Sequence, residues 1–76
     1  MSLELARFRD MDGLVFYSII MGEDKYEVIA HSIKDGRIVS RQFDKLTDAY
    51  KAFDKVVFKM DEDKDRLDFI ENGTME

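Results

Sequence analysis

The sequence predicts an α+β fold: an antiparallel meander of three or four strands, with one amphipathic helix packed across one face. Runs rich in β-branched and aromatic residues alternate with turn signals through the first 43 residues. From Leu46 onward, the apolar residues recur with the period of a helix instead. The chain contains no proline and no cysteine, so regular elements must form the core without disulfide bonds.

The first element is the segment LELARFRD, residues 3–10, which lies just before an Asp12-Gly13 pair. An Asp-Gly pair is typical of a tight hairpin, because both positions of a type I′ turn favour residues that tolerate positive φ. We therefore predict a strand over residues 3–10, with a short helix after Ser2 as the alternative.

Three further strands are predicted, over residues 14–21, 25–33 and 37–43, each rich in β-branched and aromatic side chains. A loop at 22–24 separates the first two, and an Asp35-Gly36 pair separates the last two. If that pair forms a two-residue turn, Ile33 lies opposite Ile38 and Val28 lies opposite Phe43.

This register predicts two unlike faces for the sheet. One face is apolar and is the expected seat of the helix; it carries Tyr26, Val28, Ala30, Val39 and Phe43. The other face is mixed, as a partly solvated face should be; it carries Ile29, Ile33 and Ile38 among Glu27, His31, Ser40 and Gln42.

The helix is predicted from Leu46 to Met60. One apolar stripe follows its spacing and consists of Leu46, Ala49, Tyr50, Phe53, Val56, Val57 and Met60. Asp44 and Thr47 are the two candidates for capping its first turn, because short polar side chains accept hydrogen bonds from free amides there.

The strand at 14–21 is apolar on both sides, with Ser18 as its only polar residue. Strands of that kind are usually buried on both faces, yet one helix covers only one face of a sheet. We expect the C-terminal tail, the N-terminal segment or a second chain to cover the other face, since a large bare apolar patch signals interaction.

The tail at 61–76 carries the whole charge imbalance. Residues 1–60 hold ten acids and ten bases, whereas the tail holds seven acids and two bases, which accounts for the net charge of −5. We predict one domain over 1–60 followed by this acidic segment. The segment either forms a short helix over 61–71, docked through Leu67, Phe69 and Ile70, or remains a disordered tail. In the helical alternative, Asp61 caps the start and Asn72-Gly73 stops the helix.

These patterns predict a small non-enzymatic protein-interaction domain, either a homodimer or a small regulatory or inhibitory partner of another protein. The candidate interaction surface consists of Phe16, Tyr17, Ile19, Phe58, Leu67, Phe69 and Ile70. The alternative is a nucleic-acid-linked module. It would bind single strands through arginines and aromatics on a sheet face, or its acidic tail would mimic nucleic acid. Direct binding is disfavoured because the neutral body lacks a basic footprint.

No catalytic, metal or cofactor constellation is expected. His31 is the only histidine, and no nucleophile motif surrounds the serines. The run Asp61, Asp63, Asp65 resembles the start of a calcium loop, but the required glycine and glutamate positions hold Arg66 and Asn72. We expect no specific small molecule. Charged residues interrupt the N-terminal region, and the longest uncharged run is only ten residues. We therefore expect no membrane segment and a cytoplasmic location.

Overall fold

The computed structural model describes residues 3–10 and 14–73. Four strands form one antiparallel sheet in the order β1-β2-β3-β4, and the helical segments pack against it. The elements are β1 (Leu3–Asp10), β2 (Val15–Met21), β3 (Tyr26–Ser32), β4 (Ile38–Phe43), α1 (Leu46–Asp54) and α2 (Asp63–Asn72). The predicted α+β meander is therefore confirmed, with four strands rather than three.

The N-terminal segment is a strand along its whole predicted length and pairs with β2, so the helical alternative is wrong. The Asp12-Gly13 pair lies outside the described residues. β2 begins one residue later than predicted, because Leu14 has a φ of 55°, in the left-handed region. The Leu14 carbonyl nevertheless accepts a hydrogen bond from the Ile33 amide at 3.0 Å, which extends the pairing with β3.

The predicted two-residue turn between β3 and β4 is wrong. Ile38 lies opposite His31, and Phe43 lies opposite Tyr26, so the pairing is displaced by two residues. Ser32 explains the longer loop: its amide donates to the Arg37 carbonyl at 2.8 Å. Its buried hydroxyl also accepts the Asp35 amide at 3.3 Å. Of the Asp-Gly pair, only Gly36 has a positive φ, which a type I′ turn would require at both residues.

Each side chain nevertheless keeps its predicted face, because a displacement of two residues preserves the alternation of a strand. We call the side that meets the helices the inner face and the opposite side the outer face. The inner face holds the buried sheet residues Val15, Tyr17, Ile19, Val28, Ala30 and Val39. Leu5, Ala6 and Phe8 of β1 pack at its border.

Helix α1 confirms the predicted stripe and continues directly into a π-helical turn over Lys55–Lys59. Ala49, Phe53 and Val56 are buried along it. The predicted cap is wrong: the helix begins after Lys45 with no side-chain capping bond. Asp44 instead accepts a hydrogen bond from the Lys25 ammonium at 2.8 Å.

The acidic tail forms the helix α2, and Leu67, Phe69 and Ile70 are buried in the same core as α1. The helix begins at Asp63 after Glu62, so Asp61 is not its cap. It ends as predicted: Gly73 has a φ of 72°, and its amide donates to the Phe69 carbonyl at 2.8 Å.

Helix α2 lies against β3 and β4 on the inner face beside α1. It therefore does not cover the second side of β2, which is the role that motivated its prediction. In the described part of the chain, neither helix has the length and apolar character needed to cross a membrane.

Candidate functional site

The outer face of the sheet is a surface that the two helices leave uncovered. Each strand contributes three residues to it: Glu4, Arg7 and Arg9 from β1; Phe16, Ser18 and Ile20 from β2; Glu27, Ile29 and His31 from β3; and Ile38, Ser40 and Gln42 from β4. All twelve are half-buried or exposed. The strand alternation that sends their neighbours into the core places these side chains on one plane.

An apolar band crosses this face. Phe16, Ile20 and Ile29 are half-buried, and Ile38 is 62% exposed at the edge strand. The Arg9 guanidinium carbon lies 5.0 Å from the centre of the Phe16 ring, within cation–π range. The band therefore combines aliphatic surface with one aromatic ring and its cation.

Two shallow depressions interrupt the outer face. One, of about 310 Å³, is lined by Arg7, Phe16, Ser18, Ile29 and His31. The other, of about 560 Å³, lies beside the β2–β3 loop and is lined partly by Ile20, Ile29 and Gln42. The face is thus uneven and able to receive side chains from an opposing surface.

The charges of the outer face are balanced. Glu4 accepts hydrogen bonds from the Ser18 hydroxyl at 2.8 Å and from the Arg7 guanidinium at 3.1 Å. The Ser18 bond, followed by the Arg7 bond, lowers the pKa of Glu4, which keeps this carboxylate ionised. Arg9 and Glu27 add one charge of each sign, so the two acids and two arginines of the face balance.

Five of the seven residues predicted to form an interaction surface lie in the core: Tyr17, Ile19, Leu67, Phe69 and Ile70. Of the other two, Phe16 lies on the outer face, and Phe58 is 77% exposed on the helical side. The prediction grouped residues by apolar character. Strand alternation separates Phe16 from its neighbours, and the docking of α2 buries the three tail residues.

Sequence reasoning missed Arg66, which is only 6% exposed. Its Nε and Nη2 atoms donate to the Met60 carbonyl at 3.1 and 2.6 Å, where the first helical segment ends. Its Nη1 atom donates to Asp10 at 2.9 Å and to Asp63 at 3.1 Å. Arg66 precedes Ile70 by four residues, and this spacing on the buried stripe was the signal that could have revealed it.

The guanidinium of Arg66 also lies 5.6 Å from the ring centres of Phe8 and Tyr17. The Tyr17 hydroxyl donates to Asp63 at 2.7 Å. Burial, together with the nearby Asp10, raises the pKa of Asp63 despite its bonds from Tyr17 and Arg66. Burial and the Asp63 bond raise the pKa of Tyr17. We call Asp10, Tyr17, Asp63 and Arg66 the Arg66 network; it connects α2 to β1 and β2.

Other acids of α2 are also used within the chain. Arg37 donates to Asp68 at 3.1 Å and to Glu71 at 2.6 Å. With Asp63 in the Arg66 network, the exposed acids near the start of α2 are Asp61, Glu62 and Asp65. The tail is therefore partly neutralised by the body.

Within the described ranges 3–10 and 14–73, no group of three or more histidine or acidic residues is arranged to hold a metal ion. His31 is exposed on the outer face.

Compared with protein families, curated proteins and solved structures, the chain shows no significant match.

Proposed function

We propose that this chain is a non-enzymatic protein-interaction domain that pairs with a second copy of itself through the outer face of its sheet. One observation carries the proposal: β2 is apolar on both sides, but the described residues 3–10 and 14–73 cover only one side. Tyr17 and Ile19 are fully buried on the inner face, whereas Phe16 and Ile20 on the outer face are not. A second layer over the outer face would complete the burial typical of such a strand.

The dimensions of the domain suit a dimer of ordinary size. The chain extends over 32 × 28 × 18 Å, so its thickness is smaller than the length and width of its broad faces. Stable interfaces bury about 800 Å² on each partner. An area of that order fits within the two longer dimensions, and a second sheet would stack at about 10 Å.

The charge pattern supports self-pairing over pairing with a strongly charged partner. A two-fold interface brings the same patch of both copies together, so each charge must find its opposite on an identical surface. The outer face offers Glu4 and Glu27 alongside Arg7 and Arg9. A strongly acidic partner would bring like charge against the two glutamates, and a strongly basic partner would bring like charge against the two arginines.

The test is sedimentation velocity on the intact chain at micromolar concentration, with Ile38→Asp and Phe58→Asp as a matched pair. Both positions are exposed aliphatic or aromatic residues, on opposite sides of the domain. Burying an unpaired carboxylate costs about 2 kcal/mol or more. Because two-fold symmetry repeats the change, Ile38→Asp should weaken the dimer about 1,000-fold. Phe58→Asp should leave it unchanged.

A monomer for the unmutated chain up to about 100 μM would contradict self-pairing, because interfaces of this size bind with dissociation constants of about 1 μM or tighter. A dimer dissociated by Phe58→Asp but not by Ile38→Asp would move the interface to the helical side. Circular dichroism on both variants checks that each remains folded.

A second candidate function, single-stranded nucleic-acid binding, is favoured by the position of Arg9 over Phe16 on an open sheet. The neutral charge of the face argues against it. Salt-dependent binding of a labelled oligothymidylate, lost in Arg9→Gln, would support this candidate over self-pairing.

A further inference from the structure

A second concave surface lies on the helical side, between β4, α1 and the C-terminal end of α2. It has a volume of about 400 Å³, and its principal lining residues are Arg41, Phe43, Lys51, Lys55 and Phe69. We call it the basic groove. It shares no residue with the outer face.

The groove follows from the spacing of residues along α1 and its π-helical turn. Asp48, Lys51, Ala52 and Lys55 all line it, at the positions i, i+3, i+4 and i+7 that share one helical face. Ala52 is small and leaves space between the longer side chains. Arg41 closes one end, so near the chain at Gly73 that a Cβ there would fall 2.5 Å from its Nη1 atom.

Aromatic rings form the floor under two of the cations. The Arg41 guanidinium carbon lies 5.1 Å from the Phe43 ring centre, and the Lys55 ammonium lies 5.4 Å from the Phe69 ring centre. These contacts hold the charged groups over the groove instead of leaving them extended into solvent.

The cations of the groove differ from the bases that carboxylates already hold. Lys25, Arg37 and Arg66 each form an ion pair with a carboxylate. Within the described ranges, Arg41, Lys51 and Lys55 form no ion pair. Three cations therefore face one carboxylate, Asp48, in a chain whose net charge is −5.

We propose that the basic groove binds carboxylate side chains of an acidic segment from a partner protein. Clustered basic side chains in a groove are a recurrent means of recognising acidic motifs. Single-stranded nucleic acid fits less well, because base stacking needs free rings. Here Phe69 is buried, and the Phe43 ring already carries Arg41. The proposal goes beyond self-pairing, which uses the opposite side of the domain.

The test measures fluorescence polarisation of a fluorescein-labelled octaglutamate peptide mixed with the intact chain at 0.15 M salt. At that ionic strength the screening length is about 8 Å, so the overall negative charge of the chain repels the peptide only weakly. Lys51→Gln and Lys55→Gln should each weaken binding about two- to five-fold, as expected for a partly exposed ion pair. Lys59→Gln, an exposed lysine of the same helical segment that does not line the groove, should leave binding unchanged.

Asp48→Asn should change the affinity for the peptide in the opposite direction. It removes the carboxylate that faces the cations, so an anionic peptide should bind about two-fold more tightly. A site for amines or metal ions would instead lose affinity in this variant.

Four results would overturn the proposal: no saturable binding of octaglutamate below about 1 mM, equal weakening by Lys59→Gln, weaker binding in Asp48→Asn, or tighter binding of a labelled octathymidylate. Sedimentation of Lys51→Gln separates this site from self-pairing. If the variant lost the dimer, the groove would belong to the contact between copies and not to a foreign peptide.

Discussion

Replacing Arg66 by alanine should be among the most damaging changes to this chain. The side chain donates four hydrogen bonds, to the Met60 carbonyl and to the carboxylates of Asp10 and Asp63. Removing one partner from a buried ionic network costs about 3–5 kcal/mol, because the remaining charges lose their compensation. The Met60 carbonyl also loses both of its bonds from the guanidinium.

The whole domain has little stability to lose. At about 0.05–0.15 kcal/mol per residue, 76 residues give an unfolding free energy of about 4–11 kcal/mol. With a urea dependence of about 1 kcal/mol per molar, Arg66→Ala should lower the unfolding midpoint by about 3 M or more. Far-UV circular dichroism in urea, at pH 7 and constant protein concentration, measures this shift.

Two variants make the experiment specific. Arg66→Lys keeps the charge but cannot reach the carbonyl and both carboxylates together, so its loss should be intermediate. Arg7→Ala removes an exposed arginine paired with Glu4 and should change stability by less than about 1 kcal/mol. If Arg66→Ala lost no more than Arg7→Ala, the Arg66 network would not hold α2 to the sheet.

Three further outcomes are expected. The pKa of Asp63 in the folded chain is raised above its ordinary 3.8. The folded state therefore binds this proton more tightly than the unfolded state, so the Asp63 contribution to stability falls as pH rises through the folded pKa. The difference in stability between the wild type and Asp63→Asn, measured from urea midpoints, should shift in the wild type's disfavour from about pH 4 upward. A difference that grows in favour of the wild type would contradict this. Ile70→Ala should cost about 2–5 kcal/mol in the same assay, because the residue is only 1% exposed and packs in the core; a wild-type midpoint would mean that α2 is undocked in solution. EDTA should leave the thermal midpoint unchanged, and a fall of several degrees by calorimetry would reveal a metal site.

Most of the fold was predictable, because the local patterns agree with the final structure. The stripe from Leu46 to Met60 specifies a helix and its buried side, and strand alternation specifies which residues share a face. The two-residue displacement between β3 and β4 left this assignment intact. The displacement itself could not be predicted, because nothing in the sequence distinguishes Ser32 from an ordinary strand residue. In the structure, its side chain and backbone hold the longer loop.

The candidate site was predictable only in outline. The double-sided apolar character of β2 correctly indicated that one helix would leave a face of the sheet uncovered. The three tail residues lie in the core, because α2 joins α1 on the inner face, which the sequence does not indicate. Arg66 joins this arrangement through partners on β1, at the end of the first helical segment and on α2, which local sequence patterns do not reveal.

By itself, the sequence determined the class of the domain, the three strands after residue 13, its main helix and the balanced charge of its body. These features depend on residues close together in the chain, where periodicity and turn preferences act. The tertiary structure alone decided, within the described residues, which face stays open, which cations of the basic groove form no ion pair and which acids of the tail are neutralised. Those outcomes depend on contacts between residues that are as far apart in the sequence as Asp10 and Arg66. Only the folded chain brings such residues within the few ångströms over which burial, hydrogen bonding and charge pairing act.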